Sequence, residues 1–276
     1  MKKLLSILAA SALFMNVFGL DLFTYVPVTG NVRSYTQTDF TVTTKFGNYF
    51  RTPNAKIIRN LNAAGKITDV SELSPKDALI SKTVYKYDAS GNLTEQNCYN
   101  EKNTLLWKAV TTYKGSKKVD YTEYGKDGVL KSKIIYTYSE DGKLTEETGY
   151  DSEGALIWKT VNKYDDAGRI AVVSAYCADG SLDKEDKYAY SKNGKIESIT
   201  TFDNFTKLTE QSVFKFDKDG VLQQITTYDN DKEITKRVLL KYDATGNIGK
   251  ISEYNIAQKF GTTVNELVSV TEYVYQ

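Results

Sequence analysis

The acidic side chains are the first place to look for chemistry, because the 276-residue chain contains no histidine. Ser-His-Asp and Cys-His catalysis drop out, and so do zinc sites that need imidazole. Two carboxylates alone can still perform general acid–base work. The candidate pairs are Asp165/Asp166, Asp217/Asp219 and Asp229/Asp231. Each stands at a turn signal, where Asp is favoured because its side chain bonds the backbone two residues on. Asp217-x-Asp219-Gly220 has the start of a calcium loop without the downstream ligands. The turn reading is preferred for all of them. No catalytic residue, metal ligand or cofactor is assigned, and the chain is read as a non-enzyme.

The remaining binding chemistry is aromatic: 21 Tyr, 11 Phe and 2 Trp. Trp107 and Trp158 each stand 20 residues after a tyrosine, Tyr87 and Tyr138. Strand alternation puts them on one face with Tyr136, Tyr138, Tyr188 and Tyr190. An open aromatic row can stack sugar rings or partner side chains. These six are the candidate ligand-binding residues. The competing reading is that they pack against neighbouring strands.

Their positions are set by a repeat. Anchors recur at Leu61, Tyr87, Tyr113, Tyr138, Tyr164, Tyr190, Phe216 and Tyr242, in steps of 26 residues with a single step of 25. An aliphatic residue follows six places after each anchor, from Ile67 to Ile248, and Gly stands four places after most of them. A second series (Leu73, Tyr99, Tyr124, Tyr150, Tyr176, Phe202, Tyr228, Tyr254) runs about twelve residues downstream. Each unit therefore holds two turns and two strands. Asp-x-x-Gly between β-formers predicts a turn closed by a left-handed glycine. The expected fold is all-β: a long antiparallel meander of roughly 16 strands, twisted or coiled into an elongated sheet. Pairing symmetric about the turn would set Val161 against Val173, Val213 against Ile225 and Leu239 against Ile251. A bulge at the glycine would shift that register.

The ends differ from the array. Residues 1–19 read as a secretory signal, with Lys2 and Lys3 before an apolar run. No Cys follows it for lipid attachment, and no later run is long enough to span a bilayer as a helix. Residues 20–60 read as an N-terminal β cap, with strands at Leu22–Val26 and Phe40–Thr44. The array covers 61–260. Residues 261–276 form a C-terminal closing segment, with Gly261–Leu267 inserted before an edge strand at Val268–Tyr275. Cys98 and Cys177 lie three repeats apart, about 29 Å along an extended meander, so no disulfide is expected. Losing Lys2 and Lys3 turns the formal charge of +1 slightly negative, which argues against nucleic acid as a partner.

The cassette Tyr87-Asp88-Ala89-Ser90-Gly91-Asn92-Leu93, repeated as Tyr242-Asp243-Ala244-Thr245-Gly246-Asn247-Ile248, resembles the YD repeat of Rhs-type bacterial surface and secreted proteins, toxin shells and teneurins. The likeness covers about 200 residues through the motif alone. It implies a β-meander that wraps into a spiralling shell. The expected role is a non-catalytic binding or adhesion scaffold, secreted, periplasmic or on the cell surface, facing a cell-wall or host glycan or protein. The alternatives are a subunit that assembles through edge strands, a fragment of an Rhs-like toxin shell, and a glycan hydrolase with two converging carboxylates.

Overall fold

The computed structural model describes residues 16–17, 20–45, 48–259 and 261–276. The expected export signal, 1–19, lies outside them apart from Asn16 and Val17. A short pair, β1 (Asn16–Val17) and β2 (Leu20–Asp21), precedes a one-turn helix, α1 (Leu22–Tyr25). The run Leu22–Val26, expected as a strand from its β-formers, is thus mostly helical. The main sheet comprises β3 (Ser34–Lys45), β4 (Asn48–Leu61), β5 (Ile67–Leu73), β6 (Leu79–Tyr87), β7 (Leu93–Asn100), β8 (Leu105–Lys114), β9 (Lys117–Gly125), β10 (Leu130–Tyr138) and β11 (Leu144–Asp151). It continues through β12 (Leu156–Tyr164), β13 (Ile170–Cys177), β14 (Leu182–Tyr190), β15 (Ile196–Asp203), β16 (Leu208–Phe216), β17 (Leu222–Tyr228), β18 (Ile234–Tyr242), β19 (Ile248–Lys259) and β20 (Thr262–Tyr275). The fold is all-β, an antiparallel meander of 18 strands.

The turns explain the spacing. At Asp165 the amide donates to the Arg169 carbonyl at 2.8 Å, and the Gly168 amide donates to the Asp165 carbonyl at 2.9 Å. The Asp165 carboxylate accepts the Arg169 amide at 2.9 Å. Gly168 sits at φ +78°, a conformation that costs L residues with a Cβ. Asp217 and Asp229 hold their own turns in the same way, each accepting two backbone amides. The short step in the repeat is a tighter hairpin, with Lys114 paired to Lys117 around Gly115 and Ser116.

The register corrects the symmetric pairing. Tyr190 pairs with Ile196 but Ala189 pairs with Ser198, so one residue bulges out after the turn, and most turns repeat this. Val161 therefore faces Ser174, Val213 faces Thr226 and Leu239 faces Ser252. The aliphatics change sides: Val173 faces Asn162, Ile225 faces Phe214 and Ile251 faces Leu240. Ile225 and Ile251 thereby join the anchors on a single face and are almost fully buried.

Bulges increase right-handed twist, and wide twisted sheets curl. Here the sheet closes. Tyr35–Thr41 of β3 pair with Ser269–Tyr275 of β20, completing a barrel. The anchors face inward. Of the expected insertion at Gly261–Leu267, Gly261 lies in the turn and Thr262–Leu267 belong to β20, because β19 extends to Lys259 and pairs with it out to Thr262. From Ser269 to Glu272 the closing strand is paired on both sides. Residues 20–60 supply two barrel strands and a segment that enters the lumen. Leu22 is wholly buried there among Ile196, Ile199, Phe214, Ile225 and Val238, with Phe23, Tyr25, Val26, Val28 and Val32 packed around it.

An inward ladder ties each unit to the next. The Tyr164 hydroxyl donates to the Leu144 carbonyl at 2.7 Å, and the bond recurs from Tyr87 to Ile67 and from Tyr113 to Leu93. The residue five places after an anchor lays its cation over the next anchor: Lys66 over Tyr87, Lys143 over Tyr164 and Arg169 over Tyr190.

The outer wall is charged. Glu95 accepts Lys86 and Lys108, each at 2.6 Å, and Lys159 pairs with Glu146 at 3.4 Å. Those cations and the Asn97 amide hold the Glu95 carboxyl down to about 2. A membrane barrel presents lipid with an apolar band about 25 Å tall. This wall mixes Lys, Glu, Asp and Thr with outward aliphatics such as Val84, Ile135 and Val161, and has second-series tyrosines such as Tyr99 and Tyr176 along one rim. No helix among the described residues is long and apolar enough to cross a membrane.

Candidate functional site: a lumen cavity beside the N-terminal segment

Barrels of this strand number enclose a wide interior. Inward aromatic rings and the segment from Leu22 to Val32 fill part of it. The segment packs to one side, against β14 to β20. Asn247 of the β18–β19 turn fixes it there: its side-chain oxygen accepts the Thr29 amide at 2.7 Å, and its amide donates to the Thr29 carbonyl at 3.0 Å. On the other side a cavity of about 570 Å³ remains between the segment and strands β3 to β10.

Phe23, Pro27 and Val28 form one wall of the cavity. The facing wall is aromatic, with Tyr35, Tyr85, Tyr87, Tyr113, Tyr121 and Tyr136. Gln96 and Thr111 add neutral polar groups, and Arg59, Lys66 and Lys118 add charge. Exposed Gly65 and Lys118 stand at the open end, whereas Arg59, Gln96 and Thr111 lie deep.

Arg59 is 1% exposed, and a charge that deep needs partners. Its Nη1 donates to Gln37 Oε1 at 3.0 Å, and Gln37 Nε2 donates to Asp39 at 3.1 Å. Thr271 Oγ1 donates to the same carboxylate at 2.7 Å. The guanidinium also lies 5.3 Å from the Tyr35 ring centre. Burial pushes the Tyr85 phenol up to about 12, with Arg59 working against it. Burial raises Tyr121 and Tyr136 as well. On neighbouring inward positions burial also raises the carboxyls of Glu123 and Glu147. The lining thus offers rings, hydrogen-bond donors and positive charge. Among the described residues it contains no carboxylate, thiol or imidazole.

The six aromatic candidates all face inward, but the fold does not bring them together. Tyr136 lines the cavity. Tyr138 lies beneath Lys117 and Tyr190 beneath Arg169. Tyr188 packs against the core around Leu22. Trp107 pairs with Cys98 and Trp158 with Cys177, lower on the inner wall. The Trp158 ring covers Gly149 so closely that a Cβ there would come within 2.4 Å of it. Both cysteines are free. Arg59, Gln96, Thr111 and Tyr121 escaped sequence reasoning. Arg59 stands two places before its anchor, Leu61, as Tyr85 does before Tyr87, and that offset marks the inner wall.

A porin-like protein from Bacteroides uniformis is similar to this chain at 11% identity, over 90% of this chain and 99% of that one, with a TM-score of 0.51. A porin-like protein from Bacteroides vulgatus is similar at 11% identity, over 89% and 98% of the two chains, with a TM-score of 0.33. The TcdB2–TccC3–Cdc42 structure is similar at 12% identity over 83% of this chain and 19% of that one, with a TM-score of 0.18. At these identities a likeness speaks to fold alone, and of the three only the first is close enough to support it. No curated protein matches the chain. A family model described as "Uncharacterised protein" matches residues 98–244, more than half of the chain. The chain belongs to that family.

Proposed function

We propose that this protein is an exported, non-catalytic binding barrel that takes a small ligand into its lumen. The observation that carries the reading is the division between its two walls. Aromatic rings and a cavity of about 570 Å³ lie inside, and paired charges lie outside. That volume falls in the range of small-molecule sites, which are mostly apolar with a few placed polar groups. The export part rests on Lys2, Lys3 and the apolar run after them, and favours the cell envelope or the exterior of the cell. The Tyr-Asp-x-x-Gly cassette is read as a YD-like unit on its motif alone, here wrapped around the chain's own N-terminal segment. The inward direction of the anchors favours a lumen ligand over adhesion through an exposed aromatic sheet.

The test uses N-phenyl-1-naphthylamine, a neutral probe whose emission rises in apolar surroundings. Saturable binding of one probe per chain is expected, lost when the cavity is filled by Thr111→Phe from the barrel wall or by Val28→Trp from the segment. No saturable binding, or binding untouched by both folded variants, would overturn the reading.

A further inference from the structure

We infer that the lumen cavity selects small apolar or aromatic molecules carrying one anionic group, and that Lys118 at its open end holds that group. The inference rests on the lumen-binding reading above and adds the chemical class of the ligand.

The charge of the lining is one-sided. Arg59, Lys66 and Lys118 line the cavity, and among the described residues no Asp or Glu does. An apolar wall lowers the local dielectric and strengthens any charge contact made against it. The three cations differ in what already occupies them. Arg59 is deep and bonded to Gln37. Lys66 donates to the Gly91 carbonyl and lies over Tyr87. Lys118 is exposed, with its Nζ 5.4 Å from the centre of the Tyr136 ring. A cation over a ring face uses none of its hydrogen-bond donors, so all three ammonium protons can still be directed at a carboxylate or sulfonate.

The charges around Lys118 support this. Asp120, two residues on, takes the Thr112 hydroxyl at 2.8 Å and lies 3.9 Å from Lys133 on the outer face. Glu147, opposite Tyr136 on β11, is held toward its neutral form by burial, against the weaker pull of Lys118. Neither forms an ion pair with Lys118 among the described residues. A ligand with its apolar body among Tyr113, Tyr121, Tyr136 and Val28 would place a terminal anion at the mouth, where solvent still reaches it. That arrangement keeps an unpaired charge out of the apolar interior.

The experiment compares two probes with the same ring skeleton, 1-anilinonaphthalene-8-sulfonate and neutral N-phenyl-1-naphthylamine, on the full chain. The sulfonate is expected to bind at least roughly tenfold tighter, the size of one charge-assisted contact. Lys118→Met should remove that preference and leave neutral-probe affinity within about twofold, while circular dichroism stays unchanged. Equal affinity for the two probes overturns this inference and leaves the lumen reading standing. A sulfonate preference that survives Lys118→Met overturns it as well. Failure of both probes to bind removes the lumen reading and this inference together.

Discussion

The Tyr190 hydroxyl donates to the carbonyl of Ile170 at 2.8 Å, while the Arg169 guanidinium lies 4.4 Å from the centre of the Tyr190 ring. Two adjacent residues of one turn thus seize the next anchor from two directions. The bond joins the paired strands β13 and β14 away from their shared hairpin, because Ile170 opens β13 beside the Asp165 turn and Tyr190 closes β14. Repeated around the barrel, such bonds hold the curvature that closure demands. Tyr190→Phe keeps the ring and removes the bond, and should cost about 1 kcal/mol, the usual worth of one internal hydrogen bond. A urea melt should show a lower midpoint at unchanged slope. An unchanged midpoint would mean that the hydroxyl contributes nothing to closure.

The turns supply a second prediction, of opposite sign at two places. Lys232 occupies a left-handed conformation, φ +63°, at the turn position that Gly128, Gly154 and Gly180 fill in three other units. Gly168 occupies the equivalent conformation with φ +78°. Lys232→Gly should stabilise the protein by up to about 1 kcal/mol, because the Cβ penalty of the left-handed region is removed. Gly168→Ala should cost about 1–2 kcal/mol for the converse reason. Thermal melts of the two variants should move in opposite directions, and a shift of the same sign in both would contradict this account of the turn.

The repeat made much of this architecture legible. The aliphatic six residues after the anchor located the strand starts from Ile67 to Ile248 except at Val119, where β9 begins at Lys117, and the single 25-residue step marked the hairpin at Gly115. Three things were not legible. The bulge after the turn moves Ile225 and Ile251 to the anchor face, and no local residue type distinguishes a bulged from an unbulged register. Closure joins β3 to β20, the most distant pair of strands in the array, by backbone bonds that any sequence can make. The lumen segment contains Leu22-Phe23-Thr24-Tyr25, β-formers by propensity, which fold as a helical turn because the barrel has already used the available strand partners. The cavity exists only once all three are in place, so Tyr136 was the one expected aromatic that proved to line it.

Asn247 gives a prediction about the segment itself. It is 2% exposed and bonds both the amide and the carbonyl of Thr29. Asn247→Ala would leave two backbone groups unmatched, a cost of about 1–3 kcal/mol for each buried one. Local unfolding is cheaper than global unfolding where few bonds hold an element. Hydrogen exchange in the variant should therefore quicken across residues 22–32 while strands β6 to β17 keep their protection. Uniform acceleration throughout the barrel would show that the segment is part of the barrel's cooperative core.

The tyrosines make stability depend on alkaline pH. Burial raises Tyr85 to about 12 from an ordinary value of 10, and raises Tyr136, Tyr188 and Tyr273 in the same direction. A phenol whose folded value is raised binds its proton more tightly in the native state than in the unfolded chain. Its contribution is complete below pH 10 and disappears as the pH rises through the folded value. The denaturation midpoint should therefore be unaffected by these phenols from pH 7 to 9 and fall steeply from pH 10 to 12. Tyr85 alone should account for about 2–3 kcal/mol of that fall, since a tenfold change in proton affinity between the folded and unfolded chains is worth about 1.4 kcal/mol. Tyr85→Phe cannot ionise, so it should flatten the slope by that amount while retaining a barrel at neutral pH. Equal slopes in the variant and the parent between pH 10 and 12 would show that the Tyr85 phenol ionises no later in the folded barrel than in the unfolded chain, and would remove it from the buried wall of the cavity.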